Sequence, residues 1–272
     1  MNIGYAITMA ALAVLAGCAG PAVAAESVPA ELEGGWRLIW NDEFEGERLD
    51  LSKWTPEDAA LVKNNEKQYY SPEMVSVSDG HLTLTSLKES RGGRPYLSGL
   101  VETRGKFARA YGRYEVRAKL PGGKGLWPAH WLMPDDNSWP PEIDIMELIG
   151  HYPDKVHMTH HFHGPDGRVH RRGEVYVGPD FTEDFHTFAV EWEPDALRWY
   201  VDGQLRFTST RDIPHVPMRI ILNTAVGGDW PGDPNKNTVF PQTHVIDYVR
   251  VYARTPRNIE FVSAEELADG RA

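Results

Sequence analysis

A succession of short segments, each alternating apolar and polar residues, dominates this chain from Trp36 to Tyr252. They include Trp36–Trp40, Met74–Val77, His81–Ser86, Gly99–Thr103, Gly112–Leu120, Lys155–Phe162 and Glu174–Val177, followed by His186–Glu193, Ala196–Val201, Met218–Thr224 and His244–Tyr252. Alternation with period two is the signature of a strand with one buried face. Turn pairs such as Asp79-Gly80, Pro121-Gly122, Asp166-Gly167 and Asp202-Gly203 separate the segments, and Asp-Gly readily takes the left-handed backbone of a tight hairpin. With few helical stretches and no fixed-period repeat, the pattern predicts an all-β fold, a β-jelly-roll sandwich of two antiparallel sheets. One large β domain accommodates a chain of this length.

One segment breaks the alternation. In Trp139-Pro-Pro-Glu-Ile-Asp-Ile-Met-Glu-Leu-Ile-Gly150 three carboxylates fall within six residues of a stretch otherwise suited to a strand. Glu142 and Asp144 share a face, while Glu147 has the wrong parity to join them. A β-bulge at Ile145 or Met146 would bring all three together, and bulges recur beside active sites. Three acids on one face repel one another, so a pure packing role is a poor explanation. A pair of carboxylates, one a nucleophile and one a proton donor, is what glycoside hydrolysis requires. The competing explanation is an edge strand made acidic against aggregation, to which Ile143, Ile145 and Met146 run counter by implying a buried opposite face.

Glu-Ile-Asp-Ile-Met-Glu resembles the E-x-D-x-x-E signature of glycoside hydrolase family 16 in its bulged, laminarinase-like form. Trp127-Pro-Ala-His-Trp131 is similar to the family's W-P-A-x-W element, and Asn223-Thr-Ala-Val-Gly-Gly-Asp-Trp230 to its N-x-A-V-G-G-x-W element. Asn41-Asp-Glu-Phe44 and Asn65-Glu-Lys-Gln-Tyr-Tyr70 resemble its first strand and a cleft loop. The resemblance implies an open concave cleft, with Glu142 as nucleophile, Glu147 as acid/base and Asp144 assisting. It implies a retaining endo-glycosidase acting on β-1,3-glucan and also on mixed-linkage β-1,3-1,4-glucan. Related glycosidases or transglycosylases act on agar or carrageenan, and a non-catalytic glucan-binding module on the same fold is the reading from another class. Catalysis by such an enzyme needs no cofactor.

Trp127, Trp131 and Trp139 precede the acidic strand, and indole rings suit the flat C–H faces of sugars. With Trp230 at the cleft rim they form the expected substrate-binding set. His161 joins them by its match to a family histidine beside the catalytic strand. Asn65 is a candidate sugar contact, although asparagine equally suits a turn. His157, Thr159, His161 and His163 share a strand face, and a His-x-His pair there is the alternative reading of a zinc site. Asp247 sits among Val245, Val249 and Val251, so it needs a partner. The resemblance implies structural calcium there, with Glu43 and backbone carbonyls near the first strand; a plain hydrogen bond is the alternative.

The formal charge of −11 disfavours nucleic acid and anionic membrane surfaces as partners and fits a neutral polysaccharide. Residues 6–17 form an apolar run too short for a permanent membrane span, so residues 1–25 read as a secretion signal. Leu15-Ala-Gly-Cys18 resembles a lipoprotein cleavage box, which would put a lipid on Cys18, the only cysteine in the chain. Ala22-Val-Ala24 offers ordinary cleavage instead. The expected protein is therefore secreted or lipid-anchored at a bacterial envelope and monomeric. It comprises a catalytic domain over residues 26–255 and a charged tail over 256–272.

Overall fold

The computed structural model describes residues 28–61 and 63–254; the predicted signal, Cys18 and the tail lie outside them. Among the described residues two large sheets face each other. The first runs in the order Val169–Val177, Lys155–His163, Glu142–Leu148, Leu126–Pro134, Met218–Val226, Leu100–Glu102, Thr55–Pro56. All its pairings are antiparallel. The second is ordered Glu31–Leu32, Trp36–Asp42, Gln242–Arg254, Gly112–Lys119, His186–Glu193, Ala196–Val201, Gln204–Ser209. The hairpin Val75–Ser78/His81–Ser86 also joins it, through the early half of Gln242–Arg254. This is the expected jelly-roll sandwich.

Two of the three Asp-Gly pairs that separate the segments close tight hairpins, whereas Asp166-Gly167 lies in the longer connection from His163 to Val169 with only Gly167 left-handed (φ 73°). Asp79 (φ 52°) and Gly80 (φ 74°), like Asp202 (φ 51°) and Gly203 (φ 71°), form two-residue turns with both positions left-handed, the twist that suits flanking strands. The core lies between the sheets. Ile143, Met146, Val156, Met158 and Leu222 of the first sheet meet Leu84, Val116, Phe188, Trp192 and Trp199 of the second, all at 1% exposure or less. Each such side chain contributes roughly 1.5–3 kcal/mol of transfer free energy. Four segments escape the alternation argument. Gln204–Ser209 is too polar and half-exposed to read as a strand. Val169–Val177 is solvent-facing nearly throughout, so no buried period marks its first half. Gln68–Tyr70 pairs in parallel with Tyr96–Ser98, and both are too short to show a period.

Candidate active site

The acidic strand Glu142–Leu148 occupies the middle of the first sheet, on whose outer face lies a cleft of about 1020 Å³. Its pairing departs from regularity where parity required. Asp144 faces Thr159 and Glu147 faces His157, so three steps on one strand match two on the other. On the opposite side Trp131 faces Asp144 and His130 faces Met146. The extra residue is a bulge at Ile145–Met146. Both these side chains are buried in the core, at 2% and 0% exposure, and Glu142, Asp144 and Glu147 all line the cleft.

The three carboxyls are not equivalent. Burial pushes Glu147 well above the usual carboxylate range, and the charges of Asp144 and Glu142 push the same way. The indole N–H of Trp127, donating to Glu147 Oε1 at 3.0 Å, opposes this. Burial, followed by the Glu142 charge, also raises Asp144 well above its ordinary value. Glu142 is raised less: burial acts on it too, but His161, Lys63, the Trp139 indole and a hydrogen bond from Asp144 all favour its ionised form. Trp139 Nε1 donates to Glu142 Oε2 at 3.1 Å. His161 Nε2 lies 3.3 Å from Asp144 Oδ2 and 3.7 Å from Glu142 Oε1. Asp144 Oδ2 is buried with no hydrogen-bond partner, a setting in which a neutral carboxyl costs less than a carboxylate. Glu142 is thus the carboxyl whose ionised form is best supported and Glu147 the one pushed hardest toward holding its proton, the division of labour that two-carboxylate glycoside cleavage needs.

Aromatic rings flank the acids on both sides. Trp139, half exposed, stands beside Glu142 with its ring 6.0 Å from that of His161. Trp127 and exposed Trp230 meet edge to face at 5.2 Å, and Trp230 also meets His157 at 4.8 Å, around Glu147. Residues 62–250 match the family described as glycosyl hydrolases family 16. The chain belongs to glycosyl hydrolase family 16.

A beta-glucanase of Rhodothermus marinus is 40% identical over 244 residues, covering 80% of this chain and 85% of that protein. Glucan endo-1,3-beta-glucosidase A1 of Niallia circulans is 36% identical over 259 residues, covering 80% of this chain but only 38% of that longer protein. The laminarinase catalytic domain of Thermotoga maritima MSB8 superposes with a TM-score of 0.75 at 38% identity, covering 81% of this chain and 99% of that one.

Within this family 16 site, several expected residues hold positions other than those the sequence suggested. Asn65 does not line the cleft: it is exposed, takes a left-handed turn (φ 52°) and donates to Asp229 Oδ1 at 2.7 Å. Its neighbours Asn64 and Glu66 line the cleft instead. Trp131 is in the cleft but only 9% exposed. Its indole N–H is held by Asn223 Oδ1 at 2.8 Å, Asn223 in turn donates to Tyr70, and the Lys63 ammonium lies 4.6 Å above the ring. Trp131 is therefore a buried floor capped by a cation, less open than Trp139 or Trp230. Lys63, Asn64, Thr159, Arg171, Gly173 and Asn223 line the cleft without having been singled out as site residues from sequence. The parity of Thr159 and Arg171 with His161 is the signal that finds them, once Val169–Val177 is known to pair with Lys155–His163.

Neither metal reading is assembled. A bulge between Ile246 and Tyr248 takes Asp247 off the face of Val249 and Val251. Arg117 pairs directly with its carboxylate, and His81 Nε2 lies 4.0 Å away. Glu43 is engaged by Arg250 Nη2 at 2.8 Å and by Asn41. Guanidinium groups on both acids repel a dication and use the oxygens it would need, so these residues do not fit calcium. On the histidine face, His157 packs on Trp230 and His163 is exposed beyond the cleft. Among the described residues the grouping with metal-ligand spacing is Glu142, Asp144 and His161, the catalytic cluster itself rather than a His-x-His site.

Proposed function

We propose that this family 16 protein is a retaining endo-β-1,3-glucanase of the laminarinase type, with mixed-linkage β-1,3-1,4-glucan as a second substrate. The observation that carries the reading is the bulge, which puts Glu142 and Glu147 on one cleft face, with Glu147 held further above the usual carboxylate range than Glu142. The names of the relatives, a beta-glucanase, an endo-1,3-beta-glucosidase and a laminarinase, support the substrate class.

In the first step a Glu142 oxygen attacks the anomeric carbon. The carbon–oxygen bond to the leaving sugar breaks, and its electron pair takes the proton from Glu147. Asp144, holding its own proton against Glu142, releases that hydrogen bond from the attacking carboxylate as the glycosyl ester forms, and His161 limits its movement. In the second step ionised Glu147 takes a proton from water, whose oxygen displaces Glu142 from the same carbon. Two inversions give net retention. Trp139, Trp127 and Trp230 hold successive sugars along the open cleft.

The same proposal takes the protein as a monomer. The apolar run at residues 6–17 and a polymeric substrate found outside cells support export, with Cys18 as the lipid-bearing residue if the protein stays at the envelope.

Reducing-sugar release from laminarin tests the reading. Glu142→Gln and Glu147→Gln should each lose at least a thousandfold in kcat, and proton NMR of the first product should show the β anomer. Full activity in both variants, or an α product appearing first, would reject it. A panel of laminarin, lichenan, agarose, carrageenan and xyloglucan ranks the substrates.

A further inference from the structure

Behind the catalytic strand, on the side away from the substrate, the second sheet reaches across the core to the bulge. Trp199, in the strand Ala196–Val201, is fully buried and donates its indole N–H to the backbone carbonyl of Asp144 at 2.8 Å. A carbonyl in a regular ladder points sideways toward the neighbouring strand; this one accepts from a side chain of the opposite layer. A bulge removes main-chain groups from the ladder, and a buried carbonyl left without a donor is costly. The indole ring is itself held, stacked on Phe207 at 5.0 Å and tilted against His160 at 6.1 Å. His160 is fixed in turn by Ser209 at 3.0 Å, and it pairs across the strands with Ile143, next to Asp144.

We propose that Trp199 is a positioning residue for catalysis: its N–H locks the carbonyl freed by the bulge, and so sets where Asp144 and Glu147 stand relative to Glu142. The residue touches no substrate. Its effect passes through one hydrogen bond, at the residue from which the parity of the acidic strand changes. Glu142 lies before the bulge and Glu147 after it, so a bulge that relaxes or migrates by one residue alters their separation directly. Ile145 and Met146, both pointing into the core, hold the bulge by packing. Apolar packing is non-directional, however, and does not select one carbonyl orientation. The indole bond supplies the directional restraint.

This inference rests on reading Glu142 and Glu147 as the reacting pair, and its test separates the two ideas. Trp199→Phe keeps the ring and deletes the N–H. Trp192→Phe is the control, since Trp192 is equally buried and donates to Pro214 O at 2.9 Å, away from the acidic strand. Both variants should lose thermal stability. Only Trp199→Phe should lower kcat on laminarin, by about tenfold or more, with KM changed less than threefold. Its acidic limb of kcat against pH should move to higher pH, because Glu142 loses part of the hydrogen bond from Asp144 that favours its ionised form. Replacing Trp199 with benzothienylalanine, the same shape with sulfur for N–H, should do the same with little change in packing. Wild-type kcat and pH profile in either Trp199 variant, or an equal kcat loss in Trp192→Phe, would overturn the proposal. So would a benzothienylalanine protein that does not fold, since the bond would then serve the fold rather than the site. Carbon-13 NMR titration of the Asp144 and Glu142 carboxyls reads the coupling without substrate. Altered titration in Trp199→Phe, in a protein inactive on every glycan tried, would retain the lock and reject the glycosidase reading.

Discussion

Lowering the pH from 7.5 to 5 should remove several kcal/mol from the stability of this fold through two histidines that face each other in the core. His130 and His244 are both fully buried, with their Nε2 atoms 2.9 Å apart and their rings stacked at 5.0 Å. His130 Nδ1 has no partner, whereas His244 Nδ1 lies 3.3 Å from Thr224 Oγ1 and hydrogen-bonds the Asn223 backbone. The network therefore assigns both rings as neutral, with His130 Nε2–H donating to a bare His244 Nε2. Protonating either ring puts two N–H groups face to face or a charge into an apolar core. Burial holds His130 well below the usual histidine value and takes His244 down to about 3. The unfolded chain binds protons at both positions below about pH 6.5, while the folded chain does not. Stability is thus full above that pH and falls as the pH drops toward the folded value. At pH 5 each histidine costs about 2 kcal/mol, so the pair costs about 4, from a total of roughly 5–15 kcal/mol for a domain. Urea unfolding followed by tryptophan fluorescence at pH 7.5, 6 and 5 measures it. Replacing both histidines with leucine removes the two proton sites at nearly constant volume, while the carboxylate contributions remain common to both proteins. The stability of the variant relative to wild type should rise by about 4 kcal/mol between pH 7.5 and 5. Parallel stability–pH curves for the two proteins would refute the account.

Trp127→Phe removes the indole bond that favours ionised Glu147, so the alkaline limb of kcat/KM on laminarin should move to higher pH as kcat falls; a pH–rate profile decides. Arg219→Met strands Glu102, which is 4% exposed and bonded by Arg219 Nε at 2.8 Å. With Arg104 still 3.0 Å from Glu102, the cost should be near the lower end for a broken buried pair, about 3 kcal/mol, visible as a Tm drop of roughly 6–12 °C. Gly228→Ala places a Cβ 2.7 Å from Asn64 O at φ +112°, so it should push the Lys63–Glu66 loop from its seat and raise KM more than it lowers kcat. Chelation by EDTA should leave Tm unchanged, because Arg117 and Arg250 already neutralise Asp247 and Glu43.

Local chemistry made much of this protein readable in one dimension. The bounds of His81–Ser86 and Ala196–Val201 are legible because each alternates buried and partly exposed residues and ends at a turn or a change of pattern, while His186–Glu193, buried on both faces over Phe188–Trp192, is marked by its ends. The parity conflict among Glu142, Asp144 and Glu147 calls for a bulge on sequence grounds alone, since strand side chains alternate strictly and an odd step has one local remedy. Other features depend on partners far along the chain. That Asn65 holds Asp229 across 164 residues, that Asp247 meets Arg117, and that Lys63 caps Trp131 are facts of juxtaposition, with no local period to announce them. The same holds for Trp199, whose indole finds a carbonyl 55 residues away in the opposite sheet. Sequence settles which way a side chain faces, because that follows from the backbone repeat; what it then meets depends on how the two sheets stack, and only the folded chain decides that.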